Sequence, residues 1–245
     1  MRLIISVIAL ILIAIISIPL YLIEFIIGLF SYPLEHRIAQ WITVAAFRMW
    51  IFISGSKVTV TGLEHIPKDG PVEFVANHRG YFDILVLYSY IPKQTFIIAK
   101  KELKYFPCIN VWMMILKCHF LDREDVRGSV EIIKKGVEQV KEGLSVFIMP
   151  EGTRNKGNGL LEFHEGSFKY AQRTGCPVVP AIMTGTAEVL EQQAPWIKKS
   201  TITLDFLPPI YPDQLDKEDK KKMGKYVHDI METALEERCA KINAN

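Results

Sequence analysis

The feature that most limits how this chain can fold is a long apolar run at its N-terminus. Leu3–Ile23 contains no charged residue, and after Glu24 a second uncharged stretch, Phe25–Leu34, continues it. About 20 apolar residues are enough to cross the hydrocarbon core of a bilayer. The run therefore predicts a membrane-anchoring helical segment. It forms either one tilted span or, because Pro19 and Glu24 interrupt it, two shorter helices in a hairpin.

A cleaved secretory signal is the competing interpretation of this run. Its apolar part exceeds the roughly 7–15 residues usual for a signal peptide, and no A-x-A-like cleavage site follows. Arg2 and Arg37 flank the run on opposite sides, so positive charge leaves its orientation open. The next apolar run, Trp41–Ile53, fits either a helix at the membrane interface or a core helix of the following domain. We predict that residues 1–54 form membrane-anchoring and interfacial helices.

The composition limits which partners and which kinds of site the rest of the chain can have. The sequence has 245 residues and a formal net charge of +2, with no broad basic field and no RNA- or DNA-binding signature. Nucleic acid is therefore excluded as a partner. The four cysteines show neither C-x-x-C spacing nor histidines at metal-ligand intervals, which predicts reduced thiols in a cytosol-facing domain, without zinc or disulfides.

Residues 55–245 alternate between short β-rich runs and helical runs, which predicts an α/β domain with a mixed sheet flanked by helices. The predicted strands are Lys57–Thr61, Val72–Ala76, Thr95–Ala99, His119–Asp122, Ser145–Met149, Val178–Met183 and Thr201–Phe206. The predicted helices are Asp83–Ile91, Asn110–Leu116, Arg127–Glu142, Phe168–Thr174 and Asp219–Lys241. The longest irregular connection runs from Gly185 to Ser200.

A histidine and an aspartate stand where the second predicted strand passes into a helix. His78 follows the strand directly after Asn77, and Asp83 comes five residues later. An imidazole accepts a proton near neutral pH, and a carboxylate on its other ring nitrogen fixes the tautomer. The pair predicts a base that deprotonates a hydroxyl. The alternative is structural, with His78 satisfied in a loop and Asp83 capping the helix.

A second polar group follows the fifth predicted strand, as Glu151-Gly152-Thr153-Arg154. Ligands of open α/β sheets bind outside the carboxyl ends of strands, where this turn and the His78 turn both fall. Gly152 allows close approach of the backbone to a ligand, and Arg154 offers a fork of donors suited to phosphate. The alternative is a surface turn in which Glu151 and Arg154 pair with each other.

A third candidate, Lys100, begins the run Lys100-Lys101-Glu102-Leu103 directly after another strand. A lysine there suits a phosphate as a point charge, and a solvated turn is the alternative.

These motifs together resemble the glycerolipid acyltransferase family that makes phosphatidate from lysophosphatidate. The resemblance covers residues 57–206 and rests on four motifs in family order. They are N-H-x-x-x-x-D at Asn77–Asp83, K-x-E-L at Lys100–Leu103 followed by Pro107, E-G-T-R at Glu151–Arg154, and V-P-x-x at Val179–Ile182.

The resemblance implies an enzyme in which His78 takes the proton of the acceptor hydroxyl and Asp83 orients His78. The acyl donor is acyl-CoA or acyl-carrier protein, a substrate and not a cofactor, and neither a cofactor nor a metal is implied. Glu151, Gly152, Thr153 and Arg154 would hold a lysophospholipid acceptor, with Lys100 also on its phosphate. We expect the protein at the cell membrane, bound to membrane lipids, with its active site facing the cytosol.

Departures from the family pattern concern the acceptor. Arg79-Gly80 stands where a polar pair such as Gln-Ser is common, Asn155 replaces a serine, and Phe163-His164-Glu165-Gly166 lacks the usual lysines. Two alternatives therefore stay open. One is the same chemistry on another lysophospholipid, a lyso-ornithine lipid or glycerol 3-phosphate. The other is a membrane-anchored binding protein without turnover.

Overall fold

The domain after the N-terminal helices is built on one mixed sheet. A computed structural model of the chain describes residues 2–122, 125–157 and 159–243. Its strands are β1 (Lys57–Thr61), β2 (Glu73–Ala76), β3 (Thr95–Lys100), β4 (His119–Leu121), β5 (Ser145–Ile148), β6 (Val178–Thr184) and β7 (Thr201–Phe206). The order across the sheet is β1-β7-β6-β2-β5-β3-β4. All neighbouring strands are parallel except β6 and β7. The predicted fold class, a mixed α/β sheet flanked by helices, is confirmed.

Helices precede the sheet and cover both of its faces. They are α1 (Arg2–Phe30), α2 (Tyr32–Ser54), α3 (Tyr81–Tyr90), α4 (Ile109–Ile115), α5 (Val126–Lys141), α6 (Lys169–Thr174), α7 (Lys217–Lys221) and α8 (Met223–Asn243). The single helix predicted over Asp219–Lys241 was wrong, because the chain forms two. Asp216 caps α7 by accepting the backbone N–H groups of Glu218 and Asp219.

The core is divided by the sheet into two apolar clusters. Successive side chains of a strand point to opposite faces, and neighbours on β2 accordingly belong to different clusters. Phe74 packs in the cluster covered by α2, α3 and α4, whereas Val75 packs in the one covered by α5, α6 and α8. The arrangement is a three-layer sandwich in which every residue of β2 is buried.

The apolar N-terminal run forms one helix. Helix α1 continues through Pro19 and Glu24, so the first of the two alternatives, an unbroken helix, is the one observed, and the chain turns at Ser31. Proline is better tolerated in apolar, membrane-type helices than in soluble ones. The polar side chains of α1 at Ser6, Ser17 and Glu24 are buried, and most of its isoleucines and leucines are exposed. Among the described residues, α1 is the helix long and apolar enough to cross a membrane.

Helix α2 runs back along α1 and packs on the sheet domain. A Cβ on Gly28 of α1 would lie 2.7 Å from the carboxylate of Glu35 in α2, so the helices approach closely there. The predicted run Trp41–Ile53 lies inside α2. One face of α2 buries Ala39 and Ile51 in the core, while Trp41 and Phe52 are 74% and 83% exposed. The run therefore combines a core face with an exposed aromatic face.

Candidate active site

The predicted site residues follow three neighbouring parallel strands. The strands β2, β5 and β3 lie side by side, and His78, Glu151 and Lys100 stand at or just beyond their carboxyl ends. Adjacent strands are about 4.8 Å apart. The turns after β2 and β5 are in direct contact: the backbone N–H of His78 donates to Glu151 Oε1 at 2.7 Å, and that of Asn155 donates to the His78 carbonyl at 2.7 Å.

His78 and Asp83 form a hydrogen-bonded pair. His78 Nδ1 lies 2.9 Å from Asp83 Oδ2, and the Asp83 side chain is fully buried. The same oxygen accepts the backbone N–H groups of Arg79 at 2.5 Å and Gly80 at 2.6 Å. Asp83 is the third residue of α3, so the bond to Gly80 also caps the helix. The structural and functional interpretations of Asp83 are thus compatible.

The Nε2 nitrogen of His78 is free to react. A carboxylate opposite Nδ1 favours the tautomer with hydrogen on Nδ1, which leaves a lone pair on Nε2. Among the residues that the structure describes, Nε2 has no hydrogen-bond partner, and the His78 side chain is 17% exposed. The pair is therefore arranged to accept a proton at Nε2 from a hydroxyl bound beside it.

Asn77 fixes the turn on its other side. Its side-chain amide donates to the Met183 carbonyl at 2.9 Å and accepts the Met183 backbone N–H at 2.8 Å. This pair of bonds ties the end of β2 to β6, and Asn77 is 1% exposed. The motif includes Asn77, but its role in positioning the turn was not predicted from the sequence.

Glu151 lies beneath the His78 turn. Besides the N–H of His78, it accepts that of Leu161 at 2.9 Å, so backbone donors occupy both of its oxygens. Burial raises the pKa of the Glu151 carboxyl, and the two backbone hydrogen bonds oppose that rise. Gly152 follows with φ of +71°, a left-handed conformation that favours glycine, and Thr153 is exposed.

Arg154 is held by a residue that the sequence did not indicate. Its Nη1 lies 3.5 Å from Glu191 Oε1, and its guanidinium stacks 4.2 Å over the ring of Tyr81. The alternative pairing of Arg154 with Glu151 does not occur. Glu191 belongs to the irregular connection after β6, which shows no motif. In the sequence, only the length of this connection sets it apart from the other loops.

Lys100 is placed differently from the other candidates. It ends β3 with an exposed side chain, and its Nζ lies 3.1 Å from Glu102 Oε1. The structure does not bring its ammonium into contact with His78, Asp83 or Arg154. The site is therefore compact around the turns after β2 and β5, with Lys100 at its margin.

Comparison with known proteins connects this geometry to one family. The family profile described as Acyltransferase matches residues 57–184, which contain all the predicted site residues. The 1-acyl-sn-glycerol-3-phosphate acyltransferase of Saccharomyces cerevisiae is 30% identical over 83% of this chain and 68% of its own length. Enzymes of the same name from Cocos nucifera and Borreliella burgdorferi are 32% and 27% identical, over 75% and 78% of this chain. The chain spans 58% of the coconut relative and 77% of the Borreliella relative.

A solved structure shares the fold over nearly the whole chain. The crystal structure of the 1-acyl-sn-glycerophosphate acyltransferase of Thermotoga maritima has a TM-score of 0.78 to this chain and covers 98% of both chains. The sequence identity is 24%. The similarity therefore includes the two N-terminal helices as well as the sheet domain.

Proposed function

The chain belongs to the acyltransferase family, and we propose that it transfers a fatty acyl group to the free sn-2 hydroxyl of lysophosphatidate, giving phosphatidate. The acyl donor is acyl-CoA or acyl-carrier protein. The observation that carries the proposal is the His78–Asp83 pair, because its buried carboxylate leaves one imidazole nitrogen available as a base.

The reaction proceeds by direct transfer between the two substrates. His78 Nε2 takes the proton of the acceptor hydroxyl as the oxygen attacks the thioester carbonyl carbon. The tetrahedral intermediate then collapses, the carbon–sulfur bond breaks, and the thiolate leaves with the electron pair. The imidazolium returns its proton to the thiolate, so His78 is regenerated. Asp83 stabilises the imidazolium between these steps.

The acceptor is held by the turn after β5. Arg154 supplies N–H groups to its phosphate, and Lys100 adds a positive charge from the margin of the site. Gly152 and Thr153 line the same turn and contact the acceptor. Glu151 acts mainly through the backbone of His78, since its oxygens already accept two backbone N–H groups.

Residues 1–54 form the membrane-anchoring unit in this proposal, and residues 55–245 form the acyltransferase domain. The exposed apolar surface of α1 binds the hydrocarbon region, and the exposed face of α2 that carries Trp41 and Phe52 lies at the interface. The protein therefore works at the cell membrane on a lipid acceptor, with its site facing the cytosol, where acyl-CoA and acyl-carrier protein are found.

The test is acyl transfer by the full-length protein in vesicles. Labelled acyl-CoA or acyl-carrier protein is supplied with lysophosphatidate, other lysophospholipids, a lyso-ornithine lipid or glycerol 3-phosphate in separate reactions. We expect labelled phosphatidate and one free thiol per acyl group with the first acceptor. A labelled acylated product from another acceptor alone, diacyl from a lysolipid or monoacyl from glycerol 3-phosphate, would replace the proposed substrate. Binding of lysolipid without thiol release from either donor would indicate the binding protein instead.

A further inference from the structure

We propose that Glu191 is a positioning residue of this enzyme. Glu191 holds Arg154 against the turn after β2 that carries His78, and Gly80 provides the space for the Glu191 carboxylate. This inference rests on the proposed function, because it concerns how the acceptor phosphate is bound. It adds a residue from the Gly185–Ser200 connection, outside the four family motifs.

Glu191 joins three parts of the site. Its Oε1 accepts the backbone N–H of Tyr81, the first residue of α3, at 2.6 Å. The same oxygen lies 3.5 Å from Nη1 of Arg154, and the guanidinium lies over the Tyr81 ring. The connection after β6, the start of α3 and the turn after β5 therefore meet at one carboxylate.

Three successive backbone N–H groups at the start of α3 are occupied by carboxylates. Arg79 and Gly80 donate to Asp83, and Tyr81 donates to Glu191. These N–H groups would otherwise be available to an anion. These three groups are therefore not available to the acceptor phosphate, which leaves side chains as its main donors. The structure places Arg154 against this turn, and Arg79 is a second cation within the turn itself.

Gly80 explains why Glu191 fits where it does. Its φ of −160° and ψ of 175° are ordinary extended values, so the backbone does not require glycine there. A Cβ at this position, however, would lie 2.5 Å from Glu191 Oε2 and 2.8 Å from its carboxyl carbon. Any side chain at residue 80 must displace the carboxylate. Glycine at residue 80 therefore leaves the space that the Glu191 carboxylate occupies.

Glu191 is largely buried, with 17% of its side chain exposed. Burial raises the pKa of its carboxyl; the hydrogen bond from the Tyr81 N–H opposes that rise, and Arg154 adds a smaller opposing effect. An arginine held between a carboxylate and an aromatic ring has already lost much of its side-chain freedom. It gives up less entropy when a phosphate binds.

Three variants separate this role from a structural one. Glu191→Gln keeps an oxygen for the Tyr81 N–H and removes the charge beside Arg154. We expect it to raise the KM for lysophosphatidate by about tenfold, with the KM for acyl-CoA within about twofold, because Arg154 must then be ordered during binding. In an Arg154→Ala background the same change should have little further effect. Glu188→Gln, an exposed site on the same connection, is the charge-matched control.

Gly80→Ala tests the space for the carboxylate. We expect it to raise the acceptor KM in the parent by a similar factor, but to add little in a Glu191→Ala background, where the clash is removed. Thermal unfolding midpoints of the same four proteins should show the same non-additivity. The unfolding midpoints do not depend on turnover, so they measure the Gly80–Glu191 coupling even if the proposed acyl transfer is absent.

Three results would overturn the proposal. Unchanged kinetics for Glu191→Gln would show that its charge has no role, and a lower acceptor KM would show that Glu191 competes with the phosphate. Additive effects of Gly80→Ala and Glu191→Ala, in both kinetics and unfolding, would show that the glycine serves another purpose. Failure of the proposed function is distinguishable from each, because the parent protein would then transfer no acyl group to any acceptor.

Discussion

The Glu151 carboxylate accepts the backbone N–H of His78 at 2.7 Å, so the glutamate after β5 supports the turn that carries the proposed base. With Asn77 tied to Met183 and Asp83 to the imidazole, the turn is fixed on three sides. The base is thus positioned by contacts with both neighbouring strands of β2. Each contact implies a different kinetic effect when it is removed.

His78→Ala should lower the rate of acyl transfer by about 10²–10⁴-fold, the usual contribution of a general base. Membrane association should be unchanged, since His78 does not belong to the exposed apolar surface of α1 and α2 that is proposed to bind the bilayer. The measurement is the initial rate of thiol release in vesicles, with sedimentation of the vesicles to score binding. His164→Ala, an exposed histidine, is the control. A His78→Ala protein within a few-fold of the parent would exclude the proposed mechanism.

Glu151→Gln should lower kcat more than it raises the acceptor KM. The glutamine amide must turn its NH₂ toward one of two backbone N–H donors, from His78 or Leu161, so one hydrogen bond is lost. We expect a loss of about 1–3 kcal/mol in the free energy of unfolding as well. Kinetics and denaturant unfolding measure the two effects, with Glu162→Gln as an exposed control on the same loop. A change confined to acceptor KM would instead assign Glu151 to direct binding.

Arg154→Lys should raise the KM for a phosphate-bearing acceptor, with a smaller change for the acyl donor. Lysine keeps the charge but loses the planar fork and the stacking over Tyr81. Steady-state kinetics with each substrate varied in turn make the measurement, and Arg173→Lys, exposed at the end of α6, is the control. If the donor KM moves instead, Arg154 serves the other substrate.

A buried carboxyl away from the site should make stability depend on pH. Glu73 in β2 is fully buried, and its Oε2 accepts the Ala171 N–H at 2.7 Å. Burial raises the pKa of Glu73 to about 8 from its ordinary value of 4.5. Between those values the folded protein binds more protons than the unfolded chain, so stability is present at low pH and is lost as pH rises toward 8.

Glu73→Gln should remove that pH dependence. We expect the parent to lose stability between pH 5 and pH 8 with a slope of up to about 1.4 kcal/mol per pH unit, and the variant to lose much less. Denaturant unfolding at several pH values measures the slope, and Glu64→Gln, at an exposed position, should behave as the parent does. Equal slopes in parent and Glu73→Gln would show that Glu73 titrates normally.

The sequence predicted the sheet well, because short apolar runs between turn signals mark buried strands. The ends of the predicted strands agree with the structure to within one residue, and the residues after β2 and β5 meet as strand-end geometry requires. The site was less predictable where it depends on distant contacts. Glu191 reaches Arg154 from 37 residues away, and Asn77 reaches Met183 from 106. Neither pairing has a local pattern, since each exists only after the strands have assembled.

The N-terminal helices give the last prediction. Helix α1 exposes most of its apolar side chains, whereas α2 contributes Ala39 and Ile51 to the core of the domain. Removing α1 alone, by deleting residues 2–30, therefore tests anchoring while the core face of α2 is retained. We expect less of the truncated protein to bind vesicles, since only the exposed face of α2 is then left at the interface. Its activity should fall more on lysophosphatidate in vesicles than on the same lipid in detergent, because anchoring concentrates enzyme and acceptor at one surface. The thermal midpoint in detergent checks that the shortened chain is folded. Full activity on vesicles at matched protein concentration would show that the sheet domain with α2 reaches its lipid substrate without α1.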